Sequence, residues 1–152
     1  MMIIYNVVHI EDKGLYRNVN LKLIGYFSTI EKALCSIETV KNLQGFKDSP
    51  NGFIIKEMVV EYSRRSPYVY ELNQCLYDAD YTYTYEYSKT ISLYPTYQKA
   101  IVAKKRFKEL NSNSFMKCKL KKDIGIDRIL IDEVLWTEGF ETYVCKPSCR
   151  KE

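Results

Sequence analysis

Apolar and polar positions change period along this chain in the same order twice. From Met2 to Ile10 apolar residues alternate weakly with polar ones, and Ile, Tyr and Val dominate, so a strand is predicted over 2–10. Glu11 to Asn18, with Gly14 inside, reads as a loop. Residues 19–28 alternate again and predict a second strand. Then the spacing lengthens. Ile30, Ala33, Leu34, Ile37, Val40 and Leu43 recur at intervals of three and four, which makes one apolar face of a helix. Ser28 or Thr29 can cap that helix, Glu31 and Lys32 lie in its first turn, and Gly45 follows as a stop signal. Phe46 to Gly52 is turn chemistry, because Asn51-Gly52 readily supplies positive φ, and residues 53–61 predict a third strand.

The order then repeats. Ser63 to Pro67 is a short polar joint. Residues 68–77 predict a strand, Asp78-Ala79-Asp80 a turn, and 81–94 a second strand. A helix is predicted over 96–111, with Tyr97, Ala100, Ala103, Phe107 and Leu110 on one face and Pro95 where a first-turn proline is tolerated. Residues 115–122 can pair as an extra edge strand, 127–136 reads as the third strand, and the polar tail 145–152 frays.

The letters repeat as well as the periods. Ser28 to Leu34 returns 67 residues later as Pro95 to Ile101, and Lys41 and Leu43 map onto Lys108 and Leu110. Ile3-Ile4-Tyr5 matches Tyr68-Val69-Tyr70 at an offset of 65, and Ile55 to Val59 matches Ile131 to Leu135 at an offset of 76. Repetition at a fixed period points to a duplicated unit. The expectation is an α+β protein of two strand–strand–helix–strand repeats, an antiparallel sheet with helices on one face and a pseudo-twofold. The first copy is 1–62, the second 68–143 and the tail 144–152, all in one compact domain. One continuous sheet is preferred over face-to-face packing, since paired strands precede each helix.

Composition narrows the class. With 152 residues, 46% hydrophobic and 28% charged, the chain is globular in type, and each half alone would bury only a marginal core. No apolar run approaches the ~20 residues of a membrane span, and the first ten residues read as a strand and not as a signal peptide. Five cysteines, an odd number, predict reduced thiols in a cytoplasm. The abundance of Lys, Asn, Ile and Tyr points to an AT-rich genome such as that of a low-GC bacterium or a phage.

Candidate chemistry is sparse. Tyr81, Tyr83, Tyr85 and Tyr87 alternate strictly, so a strand would set them in one stripe. Such a stripe can stack bases, bind a partner protein, or be half-buried under the second helix. Charge is segregated. Residues 97–122 carry nine bases against Glu109, a balance of +8, whereas 123–141 carry −5 and 67–88 carry −4. Lys99, Lys104, Lys105, Arg106, Lys108, Lys119, Lys121 and Lys122 could meet a phosphate backbone. The same patches could steer a protein partner, or balance one another on solvated faces. A net charge of +4 is low for a dedicated nucleic-acid binder. Cys145 and Cys149 lack two further zinc ligands, and His9 is the sole histidine, so neither a metal site nor a cofactor is expected. Glu57 and Glu133 occupy equivalent strand positions in this alignment, with Glu138 nearby, but nothing marks a pocket around them.

Three stretches, Leu23 to Thr29, Gly45 to Phe53 and Trp136 to Phe140, resemble a small bacterial domain family of unknown function. That family joins a Leu-Ile-Gly-x-Tyr-Ser strand, a Gly-Phe-x-Asp-x-Pro-x-Gly-Phe turn and a closing Trp-x-Glu-Gly-Phe. The first copy keeps the first two elements and the second keeps the last. The resemblance implies the strand–strand–helix–strand unit and brings no catalytic residue. A duplicated module of this kind is expected to be a non-enzymatic binding protein, an immunity or inhibitor protein that covers a partner such as a toxin or a defence enzyme. Tyr81, Tyr83, Tyr85, Tyr87, Glu133, Trp136 and Glu138 are its candidate surface. The alternatives are an RNA- or DNA-binding protein using 97–122, and a nucleotide binder between the copies.

Overall fold

The computed structural model describes residues 1–12, 19–61, 66–78, 85–111 and 120–140. Tyr81, Tyr83, Cys118, Lys119, Cys145 and Cys149 lie outside them, and of Tyr85, Tyr87, Lys121 and Lys122 only the backbone is described. The elements in chain order are β1 (Met2–Asp12), β2 (Val19–Phe27), α1 (Ile30–Val40), β3 (Phe53–Val60), β4 (Tyr68–Asp78), β5 (Tyr85–Tyr94), α2 (Tyr97–Leu110) and β6 (Leu120–Leu130). A single 3-10 turn, Pro50–Gly52, leads into β3.

The fold is α+β, with two three-stranded antiparallel sheets ordered β2-β1-β3 and β5-β4-β6. The sheets repeat each other in register. Tyr5 pairs with Phe27 and Glu57, and Tyr70 pairs with Tyr94 and Arg128. Each sheet carries a β-bulge at the same place, between Val7 and Val8 in the first and between Leu72 and Asn73 in the second. Both helices start on a threonine. Thr29 Oγ1 accepts from Lys32 N, and Thr96 Oγ1 accepts from Lys99 N. Pro95 therefore stands one residue before the cap, outside the first helical turn.

Two sequence expectations are corrected by this register. The third strands correspond at an offset of 71, because Glu57 and Arg128 face equivalent tyrosines. Ile131 to Trp136, aligned with β3 on sequence, lies beyond β6, and residues 120–122 belong to β6 itself. Glu57 and Glu133 are thus not equivalent. The second correction is the arrangement of the copies, which form two sheets and not one continuous ladder. A single parallel bridge between Tyr26 and Ile131 links them.

The physical reason is that β1 is apolar on both faces. Val7 points toward α1, with Ile24, Phe27, Ala33, Val40 and Phe46 in one core. Ile4, on the other face, joins Tyr26, Val60, Val69 and Leu93 in a second core drawn from both copies. A continuous sheet with helices on one side would leave Ile4 and Tyr26 in water, yet both are fully buried. Ile4 and Val69 are repeat equivalents, as are Tyr26 and Leu93, so the shared core is built from matching positions. Helix α1 departs from its sequence pattern at Leu34, which is 52% exposed, while Ser36 is buried and donates to Ala33 O at 2.7 Å. Tyr97 and Leu110 of α2 are also exposed, and Ala100 alone is buried there.

Candidate functional site

The same position in the two repeats is finished differently. In the first repeat the outer edge of β2 is covered by residues 131–140, which follow β6. Asp132 N donates to Tyr26 O and Leu135 N donates to Ile24 O, both at 2.8 Å. Trp136 Nε1 donates to Leu23 O at 3.1 Å. Asp132 accepts from Ser28 N at 2.8 Å and from Lys32 Nζ at 2.6 Å, so it also ties down the start of α1. Burial is the largest single influence on the carboxyl and raises its pKa, but the hydrogen bonds from Lys32 and Ser28 and the Lys32 charge together outweigh it and hold Asp132 below the ordinary range. Val134 and Phe140 pack onto the α1 core. The segment then closes onto the first copy's turn. Phe140 N donates to Gln44 O at 3.0 Å, and the Phe140 ring meets Phe46 edge-on at 4.8 Å. The Gly45-Phe46 turn of one copy and the Gly139-Phe140 end of the other therefore complete each other.

Gly25 makes this cover possible. A Cβ there would stand 2.4 Å from Glu133 O, which no side chain can occupy. Lys22 Nζ lies 4.6 Å from both the Trp136 and Phe140 rings, a cation–π contact at the segment's outer side.

In the second repeat the equivalent edge is that of β5, and no described residue pairs with it on that side. Glu61 takes the place of Asp132. Its carboxylate meets Lys99 Nζ at 2.5 Å, as Asp132 meets Lys32. The two ion pairs are reciprocal, since each joins one copy's helix start to a carboxylate one or two residues past the other copy's third strand. β4 begins at Tyr68, so the sequence leaves no room after Glu61 for a continuation as long as 131–140. What remains is a groove of about 770 Å³ between β5 and α2, floored by Leu72, Ile91 and Leu93 and walled by Val102, Ala103 and Phe107. Val102 is 68% exposed. Lys99 and Arg106 stand on its rim.

A buried polar cluster sits between the copies. Tyr26 Oη donates to Glu71 Oε1 at 2.8 Å, and Thr90 Oγ1 donates to the same oxygen. Burial is the main cause that pushes the Glu71 carboxyl up. The hydrogen bonds from Thr90 and Tyr26 partly offset it, and nearby Asp127 adds to it. Burial, and then the Glu71 charge, drives the Tyr26 hydroxyl well above its usual range. A carboxyl raised in the fold contributes stability that is fully present below its unfolded value and is lost as pH rises through the folded value. Glu71→Gln is therefore expected to gain stability relative to the parent chain as pH rises from 4 to 8. Urea midpoints at pH 4, 6 and 8 check this, and a pH-independent difference would contradict it.

The described sequence-derived candidates lie on several elements. Glu133, Trp136 and Glu138 are exposed on the segment beside β2, with Trp136 42% exposed. Trp136 caps the β2 edge through its indole N–H. Tyr85 and Tyr87 belong to β5 and pair with Tyr77 and Leu76, on a different element. Of the basic set, Lys99, Lys104, Lys105, Arg106 and Lys108 share α2, whereas Lys121 and Lys122 lie on β6. His9 is buried in β1, where Nε2 donates to Ser49 O at 2.8 Å amid the Phe46 and Phe53 rings. Among the described residues no group of His, Cys, Asp or Glu is placed to hold a metal ion, and no helix is long and apolar enough to cross a membrane. The groove carries no motif of its own, because Ala103 and Phe107 read as an ordinary apolar helix face and Lys99 and Arg106 as members of a basic helix. Only the difference between the repeats reveals it.

No protein-family model, curated protein or solved structure matches this chain.

Proposed function

We propose that this chain is a non-enzymatic protein-binding module, an immunity- or inhibitor-type protein that acts by covering a partner's working surface. The supporting observation is the open apolar groove of the second repeat, whose counterpart in the first repeat is filled by the chain itself. Exposed apolar troughs with a charged rim suit recognition of another protein. Exposed Cys35 is a free thiol, in keeping with a cytoplasmic site of action.

The test is co-expression with the product of the adjacent gene, followed by size-exclusion chromatography with light scattering. A complex is expected, and Val102→Glu should weaken it by about tenfold or more, because the variant places a charge in the trough. A complex indifferent to Val102→Glu would remove the groove from the interface.

A second reading has its own support. Lys99, Lys104, Lys105, Arg106 and Lys108 lie on one helix with a single acid, Glu109. Nucleic acid bound there would be released steeply by salt. Fluorescence anisotropy with a short single-stranded RNA and a DNA duplex at ~50 mM salt decides it, and no binding at that salt would exclude it.

A further inference from the structure

We infer that the β5–α2 groove seats a non-helical, acidic–apolar segment of a partner protein. The inference rests on the protein-binding reading above and specifies what the partner must offer.

The first repeat shows what fits this architecture. Its seat is taken by a segment with irregular backbone, not by a helix: Asp132 and Trp136 both have positive φ. Its backbone N–H groups satisfy the edge carbonyls of Tyr26 and Ile24, its Trp136 indole satisfies that of Leu23, and Val134 packs toward the helix. The repeat register makes Leu93 and Ile91 the corresponding residues of β5, and both line the open groove. Edge carbonyls beside an apolar trough are the features that extended segments use for docking.

Charge sets the sign of the occupant. Helix α2 carries five bases against one acid, and Arg106 stands on the groove rim two turns beyond Lys99. Lys99 already holds Glu61. An incoming carboxylate therefore meets Arg106, beside the Val102 and Phe107 wall, where Arg can bind it in bidentate fashion.

Two replacements exclude the chain's own 131–140 segment from a second molecule. Ser92 stands where the first repeat has Gly25, so its Cβ occupies the space that the Glu133 carbonyl needs. Pro95 stands where the first repeat has Ser28, and it has no N–H to offer an aspartate as Ser28 does. The groove is thus built for a different sequence, and the occupant is a foreign segment.

The experiment is panning of the full chain against displayed random peptides of about nine residues. Enriched peptides are expected to combine Val, Ile, Leu or an aromatic residue with Asp or Glu. Their binding should shift the amide resonances of Ile91, Leu93, Val102 and Phe107. Val102→Glu should raise Kd about tenfold or more, and Arg106→Glu should do so for the acid-bearing peptides. Cys35→Glu, the same position on α1, should change nothing.

Several results would overturn the inference. These are enrichment of basic peptides, helical bound peptides, or binding unaffected by both groove variants. A dimer of the free chain that Val102→Glu dissociates would name a second copy as the occupant. A change at Ile91 and Leu93 on deleting residues 141–152 would name the chain's own tail. If panning fails while the co-expressed complex still depends on Val102, the protein-binding reading stands and the acidic–apolar segment does not.

Discussion

Phe46→Ala is expected to lower the unfolding free energy by about 3–5 kcal/mol, the range for removing a buried aromatic ring. Phe46 is fully buried and meets three rings, those of His9 at 5.0 Å, Phe53 at 5.7 Å and Phe140 at 4.8 Å. It sits where the turn of the first copy receives the end of the second, so one substitution opens a cavity in a core that both copies complete. His9 lies in the same cluster and depends on Ser49 O, in the same turn, for its hydrogen bond. Loosening that turn would put the bond at risk as well as the ring contacts. Urea unfolding followed by circular dichroism measures the loss. A loss below about 1 kcal/mol would mean that the turn collapses into the space, and the cluster would then be peripheral to stability.

Gly25→Ser makes the first repeat resemble the second, and it should release the cover. The new Cβ would stand 2.4 Å from Glu133 O and 2.9 Å from the Phe27 ring. The backbone carbonyl has to move, and the Leu135 N to Ile24 O bond moves with it. Overpacking of this kind costs about 1–3 kcal/mol, so amide exchange at Leu135 should quicken by roughly tenfold to a hundredfold. Trp136 is the chain's sole tryptophan, so its emission reports on this segment alone and should shift to the red. Unchanged emission and unchanged exchange would show that the segment has slack to accept a side chain.

Much of the fold was legible in the sequence where local rules act alone. Spacings of three and four marked both helices, and of the two caps offered for the first helix the structure uses Thr29, while Thr96, read as the second helix's first residue, is its cap. The offsets of 65 and 67 agree with the strand register. The third strand was misplaced for a physical reason. β6 carries Lys121, Lys122, Asp123, Asp127 and Arg128 and is interrupted by Gly125, so it looks less like a strand than the more apolar run that follows it. That run, Ile131 to Trp136, is apolar at Ile131, Val134, Leu135 and Trp136 because it covers an edge and a core, which composition does not distinguish from pairing in a ladder. Face-to-face packing was hidden for a related reason. The apolar residues on the second face of β1 read as weak alternation, and that weakness was the signal of a strand buried on both sides.

Of the site, little was legible. Exposed Trp136, Glu133 and Glu138 were named from sequence and are indeed at the surface, yet they belong to the filled seat. The vacant one depends on Ser92, Pro95 and the length of the 61–67 joint, and each of these is unremarkable until it is set against Gly25, Ser28 and the 131–140 continuation.

Fusing the two copies also fixes a stoichiometry. Two separate copies meeting about a twofold axis would present a pair of identical seats and could bridge two ligands. In the tandem, one seat is closed by the chain's own continuation. On the protein-binding reading proposed above, the fused molecule would take one guest, cap a target without cross-linking targets into larger assemblies, and in excess saturate without precipitating them.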